Sequence, residues 1–199
     1  MRSKQIIRVT FLLLFFLSCT LPPIAFNHYI PTSGLLPTSA ELGFAVSGFW
    51  ANMDGSDGTL FLNIPVWYRK SISDYLELGA RGYFSLPPWI FLGPELSVGR
   101  NAIRLIVGAY PVHILISDEL HVVPLPYYQW SLIFGGARFY TGLKGSPLAF
   151  GGLVGTNITL NQKWDVRIEG SYLIPPPWID DQSIRGRAIN LGVAFANRR

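Results

Sequence analysis

In the stretch Trp164-Asp-Val-Arg-Ile-Glu-Gly-Ser-Tyr172, polar side chains recur at every second position. A strand sends successive side chains to opposite faces. Asp165, Arg167, Glu169 and Ser171 therefore share one face, and Trp164, Val166, Ile168 and Tyr172 the other. Tyr75–Phe84 repeats the scheme: Glu77, Gly79, Arg81 and Tyr83 lie opposite Leu76, Leu78, Ala80 and Phe84. In residues 187–197, Ile189, Leu191, Val193 and Phe195 oppose Ala188, Asn190, Gly192 and Ala194. Helical periodicity is nowhere sustained. A soluble, lipid-anchored lipocalin-like barrel also alternates, but it turns its apolar face inward. Here the polar faces mix opposite charges with glycine, which suits a narrow polar interior, so the apolar face is expected to point outward.

Composition agrees. The chain is 49% hydrophobic and 14% charged, against about 25% charged in soluble domains. Beyond the first residues it has no apolar run of the length a membrane helix needs, about 20 residues. An apolar chain that cannot cross a bilayer as a helix can cross it as a closed barrel of alternating strands.

Ten strand candidates follow from the pattern: 41–51, 59–70, 74–85, 91–100, 102–113, 122–133, 136–142, 147–160, 163–174 and 187–197. The expected fold is all-β: a single closed, antiparallel, up-and-down transmembrane β-barrel of ten strands, with eight as the alternative count. The connections divide into short ones (100–101, 134–136, 161–162) and longer ones (86–90, 114–121, 175–186). With strand 41–51 running outward, the longer connections fall on the external side. Two related segments, Tyr83-Phe-Ser-Leu-Pro-Pro-Trp-Ile90 and Tyr172-Leu-Ile-Pro-Pro-Pro-Trp-Ile179, then both leave outward strands at the outer rim. Proline cannot donate to a ladder and ends each strand. Tyr83, Trp89, Trp164, Tyr172 and Trp178 are expected as interfacial aromatics, although parity gives Tyr83 and Tyr172 opposite facings.

The N-terminus reads as an export signal. Arg2, Lys4 and Arg8 precede the apolar run Phe11–Leu17, and Leu17-Ser-Cys-Thr20 follows. This resembles a lipoprotein signal, in which Cys19 would be lipidated; cleavage near Pro23-Ile-Ala25 is the alternative. The expected organisation is a signal peptide over 1–18, an N-terminal tether over 19–40 and the barrel over 41–199. Without residues 1–18, Lys and Arg number 13 against 12 Asp and Glu, a net charge of +1 rather than +4. No nucleic-acid partner is indicated. Cys19 is the only cysteine, so the body has no disulfide framework.

The hairpin Trp67-Tyr-Arg-Lys-Ser-Ile-Ser-Asp-Tyr-Leu-Glu-Leu-Gly-Ala-Arg81 and the strand Gly151-Gly-Leu-Val-Gly-Thr-Asn-Ile158 carry a resemblance to small bacterial outer-membrane β-barrel proteins, the OmpA-like barrel-domain group. The resemblance spans about residues 41–197. It implies a bacterial outer-membrane location, membrane lipid and the barrel-assembly machinery as partners, and a terminal assembly signal shifted to Phe195. It names no ligand.

Glu77, Arg81, Glu95, Arg167 and Glu169, with Asn63, Gln129 and Asn190, form the expected lumen set. Arg or Lys facing lipid at the bilayer midplane would cost about 2–4 kcal/mol. A barrel this narrow is filled by its own side chains, so these residues are expected to plug it with a mutually neutralising network. A narrow channel or a small-solute or lipid transporter is the alternative. No cofactor or metal is expected: His28, His113 and His121 have no ligand spacing, and Asp54-Gly-Ser-Asp-Gly58 is an incomplete calcium loop, read as a turn. His113 with Ser117, Asp118 and Glu119 offers the residue types of an outer-membrane acyl hydrolase but no motif. The expectation is a non-enzymatic protein with a structural, adhesive or surface-interaction role.

Overall fold

The computed structural model describes residues 27–29, 38–52, 59–86, 89–100, 102–116, 120–123, 127–146, 149–174 and 187–198. Twelve strand segments run β1 (Ala40–Asn52), β2 (Thr59–Ser73), β3 (Leu76–Leu86), β4 (Trp89–Arg100), β5 (Ile103–Tyr110), β6 (Val112–Ile116), β7 (Leu120–Val123), β8 (Tyr127–Gly135), β9 (Phe139–Ser146), β10 (Ala149–Thr159), β11 (Trp164–Ile174) and β12 (Arg187–Arg198). Ten of them form an antiparallel ring, β3-β2-β1-β12-β11-β10-β9-β8-β5-β4, closed by the β3–β4 pairing. Segments β6 and β7 form a hairpin that extends β5 and β8 beyond the ring and is carried on β4. The fold is thus a closed ten-strand antiparallel barrel.

Prolines account for the interruptions. Pro111 separates β5 from β6; β4 pairs with β5 as far as Glu95↔Gly108 and resumes with β6 at Leu92↔Val112. Pro65 falls where the β1–β2 register lapses between Phe44↔Val66 and Ser47↔Asn63. Lacking an N–H, neither proline can complete the ladder on both sides. One strand candidate is displaced: 136–142 forms as Phe139–Ser146. Residues 136–138 make a turn closed by Gly136 N donating to Phe139 O at 2.8 Å. Gly135 enters it at φ +132°, a conformation that side chains other than glycine's strain to adopt.

The strands also run further than expected at one end. The connection placed at 86–90 contracts to 87–88, and that at 114–121 to 117–119. At the end holding the start of β1, the connections are 74–75, 101–102, 136–138 and 160–163; at the other they are 53–58, 87–88, 117–119, 147–148 and 175–186. Only 53–58 and 175–186 remain distinctly long, so the expected division into two length classes is weaker than the sequence implied.

The faces are inverted relative to a soluble barrel. Along β12 exposure alternates residue by residue, with Ala188, Asn190 and Ala194 buried and Ile189, Leu191, Val193 and Phe195 outward. An exposed apolar band continues round the wall through Leu62, Val66, Leu78, Leu96, Leu105, Trp130, Leu143 and Val154. Arg81, Arg104, Lys144 and Arg167 instead lie among the largest fully enclosed side chains. Water would not solvate such an exterior, whereas a hydrocarbon layer does, and closure leaves no unpaired strand edge within it. No helix among the described residues is long and apolar enough to cross a membrane; the crossing elements are the strands.

Candidate functional site: the barrel lumen

The lumen is built in three tiers. At the end where β1 begins, inward positions of β1, β2, β3, β5, β11 and β12 supply charges that alternate in sign. Arg104 Nη1 meets Glu77 Oε1 at 2.8 Å, and Glu77 Oε2 meets Arg69 Nη1 at 2.9 Å. Arg69 Nε donates to Glu41 Oε1 at 2.9 Å, and Arg167 clasps both Glu41 oxygens at 2.8 and 2.5 Å. Arg167 also reaches Asp165 Oδ2 at 3.1 Å, and Asp165 pairs in turn with Arg198. The Trp67 indole N–H donates to Glu41 Oε1 at 2.9 Å. Each interior carboxylate here is shared between two guanidinium groups. That arrangement offsets the desolvation that makes isolated buried charges costly.

The middle tier contains residues from outside the barrel wall. Asn27, His28 and Tyr29, placed by sequence in a tether, are instead enclosed in the lumen, with 1%, 0% and 0% of their surfaces exposed. The reason is hydrogen bonding. Glu169 accepts from the backbone N–H of His28 at 3.2 Å and of Tyr29 at 2.8 Å. Arg81 donates to the carbonyls of Asn27 at 3.4 Å and His28 at 2.8 Å, and Arg167 to that of Tyr29 at 2.9 Å. Side chains are matched as well. Lys144 Nζ donates to Asn27 Oδ1 at 2.8 Å, and His28 Nδ1 lies 2.7 Å from Ser131 Oγ. Gln129 Nε2 is 3.1 Å from His28 Nε2, and the Tyr29 ring stacks on Trp67 at 6.1 Å and 12°. A side chain at Gly192 would collide with the Tyr29 hydroxyl, so the wall is relieved where the segment presses on it. Arg81 forms a two-pronged pair with Glu95 at 2.7 and 3.0 Å, its guanidinium 4.9 Å from the Trp67 ring centre.

The third tier, towards the opposite mouth, is apolar and aromatic. Tyr83, Phe91, Tyr110 and Tyr127 pack together, with Tyr83 and Tyr110 edge to face at 5.3 Å. Beside them lie Phe49, Phe61, Ala149, Leu173 and Ala188.

The structure places Glu77, Arg81, Glu95, Gln129, Arg167 and Glu169 in the interior and brings them into the two polar tiers. Asn63 and Asn190 are interior too but stand on the aromatic side, outside the ionic chain; Asn63 is level with Ser47 and Ser85, Asn190 with Phe49 and Ser171. Tyr83 is a correction. Grouped among the interfacial aromatics, it is fully buried in the third tier, because it shares the parity of Glu77 and Arg81. Trp164 and Tyr172 face outward, 41% and 46% exposed. The side chain of Trp89, and Trp178, Cys19, the 54–58 turn and Ser117–Glu119 of the hydrolase-like set, lie outside the described residues, as do the side chains of His113 and His121.

Sequence reasoning missed Glu41, Arg69, Arg104, Lys144 and the Asn27–Tyr29 segment as lumen residues. Arg69 was findable, since it shares parity with Asn63. Lys144 fell past the end of the displaced strand candidate. Among the described residues, no cluster of three or more His, Cys, Asp or Glu side chains is arranged to hold a metal.

No protein-family model and no curated protein matches the sequence. Among solved structures the chain is similar to a de novo designed transmembrane β-barrel, with 11% identity over 81% of this chain and 97% of that one at a TM-score of 0.38. It is similar to Neisserial surface protein A, with 10% identity over 79% and 96% at 0.40. It is also similar to Ail, the attachment invasion locus protein of Yersinia pestis, with 9% identity over 82% and 100% at 0.41. Likeness at this level says nothing about activity, and the assignment of the chain as a closed transmembrane-type β-barrel rests on its own pairing and its inverted faces.

Proposed function

We propose that this chain is a non-conducting, non-enzymatic barrel of a bacterial outer membrane, with a structural or surface-interaction role. Export by a signal peptide over 1–18, lipidation at Cys19, interfacial anchoring by Trp164 and Tyr172, and membership of the OmpA-like group belong to the same reading. The observation that carries it is the obstruction of the lumen. Asn27–Tyr29 fill the space between an ion-pair tier and an aromatic tier, and Arg81, Lys144 and Arg167 are enclosed with 0% side-chain exposure. An open solute path would leave those cations wetted. The outward apolar band and the closure of the ten-strand ring, which leaves no free edge among those ten strands, support residence in the membrane.

Two measurements test the reading. Purified full-length protein in planar bilayers is expected to give no steady ion current at either voltage polarity. Stable unitary steps would replace closure with the narrow-channel reading. Carbonate-washed membranes from cells expressing Cys19→Ala are expected to retain a species whose gel mobility shifts on boiling. Recovery of that variant in the soluble fraction, without a shift, would refute the integral barrel.

A further inference from the structure

We propose that the middle tier is a peptide-recognition site, occupied in cis by Asn27–Tyr29 and able to take a peptide carrying an Asn-His-aromatic triplet in trans. The inference rests on the obstructed-lumen reading and adds to it that the obstruction is a ligand with a socket, not filler.

The recognition is of two kinds. Glu169, Arg81 and Arg167 together engage five main-chain groups of three successive residues: the carbonyls of Asn27, His28 and Tyr29 and the N–H groups of His28 and Tyr29. The backbone turns at Tyr29, φ +54°, so that two successive N–H groups converge on the Glu169 carboxylate as in an anion-binding nest. Main-chain contacts supply affinity in peptide recognition, while side-chain pockets give specificity. Both are present. The Asn27 amide is read at both ends, its oxygen by Lys144 and its nitrogen donating to Glu169 O at 2.9 Å. The His28 ring is bracketed by Ser131, Gln129 and Glu95, the last at 3.7 Å. Tyr29 lies flat against Trp67 in a cleft floored by Ala45, Ala194 and Ala196. A segment that merely filled space would not need both amide ends of Asn27, both ring nitrogens of His28 and a stacked ring for Tyr29.

The socket stands largely without its occupant. Arg81 keeps Glu95, and Arg167 keeps Glu41 and Asp165. All these partners belong to the wall, so the clamps stay oriented when the triplet leaves. A preorganised site of this kind loses little affinity to rearrangement.

The test uses the full chain in detergent micelles, with the cis triplet weakened as Asn27→Ala/His28→Ala/Tyr29→Ala, and a fluorescent synthetic peptide of residues 24–32 as probe. The variant is expected to bind the peptide with a clear rise in anisotropy. The intact chain, its socket filled, is expected to bind at least tenfold more weakly. A peptide with the same three substitutions is expected to give no rise. Should the triple variant fail to show the mobility shift of a folded barrel, His28→Ala alone, which also keeps the side-chain contacts of Asn27 and Tyr29, carries the same comparison. A folded variant that takes up no peptide, or takes up both peptides equally, overturns the proposal. Binding and conductance separate the two readings. Peptide uptake by a barrel whose intact form conducts refutes closure and leaves the site standing. A silent intact barrel whose variants take up no peptide refutes the site alone.

Discussion

Replacing Glu41 with Gln should be the most damaging single loss of charge in the protein. The Glu41 carboxylate has no exposed surface and serves three donor side chains, Trp67, Arg69 and Arg167. Glutamine keeps the shape and one carbonyl oxygen, so the Trp67 indole can still find an acceptor. What disappears is the negative charge between two buried guanidinium groups. Breaking a buried pair by removing one partner costs about 3–5 kcal/mol. The lower end applies here, because Arg69 keeps Glu77 at 2.9 Å and Arg167 keeps Asp165 at 3.1 Å. A destabilisation of about 3 kcal/mol is therefore expected for Glu41→Gln, read as a shift in the denaturant midpoint of the micelle-refolded barrel by tryptophan fluorescence. Adding Arg69→Gln should restore part of the loss by removing one of the stranded cations. A Glu41→Gln effect below about 1 kcal/mol, the scale of solvated ion pairs, would refute the reasoning. It would mean that water screens the tier and that the lumen is open at this end.

Three further perturbations have definite outcomes. Val193→Arg places a cation on the outward face and should cost about 2–4 kcal/mol if that face meets the bilayer midplane, measured as the folded fraction after refolding into lipid vesicles; a neutral effect would contradict the inverted faces. Tyr83→Ala should lose about 3–5 kcal/mol as a buried aromatic truncation, whereas Tyr172→Ala, half exposed, should lose far less; equal effects would contradict the burial assigned to Tyr83. Gly135→Ala forces a side chain into φ +132° and towards the Phe139 carbonyl, so a loss of about 1–3 kcal/mol is expected from backbone strain, with unchanged stability the refuting result.

How much of this was legible depends on which physical rule each residue obeys. Strand parity is set by a period of two, and it located β3, β11 and β12 with their faces because Glu77, Arg81, Arg167 and Glu169 in the first two, and Asn190 with small residues in the third, alternate with long apolar side chains. Parity even indicated the inward facing of Tyr83, against its grouping with the boundary aromatics, since an aromatic ring is at home in either place. Strand ends were less legible. They depend on where a ladder can close, and Pro111 and the 136–138 turn moved them by residues that carry no hydropathy signal. Arg104 was obscured because its inward neighbours in β5, Ile106, Gly108 and Tyr110, are not polar. The Asn27–Tyr29 segment was illegible for a different reason. It has no secondary structure of its own, and its enclosure follows from hydrogen bonds to residues over a hundred positions away.

The two central carboxylates should part company under mutation, and the contrast bears on what the lumen is for. Glu41 is satisfied wholly by side chains of the wall. Glu169 spends both of its oxygens on the main chain of the inserted segment, with further support from the Tyr140 hydroxyl at 3.2 Å and Lys144 at 4.0 Å. Neutralising Glu41 therefore weakens the barrel. Neutralising Glu169 chiefly weakens the hold on Asn27–Tyr29, because a glutamine would turn an N–H towards one of two backbone donors. Glu169→Gln is expected to keep the boiling-dependent mobility shift of a folded barrel while exposing the segment upstream of β1 to limited proteolysis in micelles, at a rate at least tenfold above the unaltered chain. Glu41→Gln is expected to show lowered global stability with the segment still protected at low denaturant. If both variants lose protection and stability together, the segment is an integral part of one cooperative core. If they separate as expected, the barrel folds around a socket whose occupant is held by a few charged clamps and can be released without unfolding the wall.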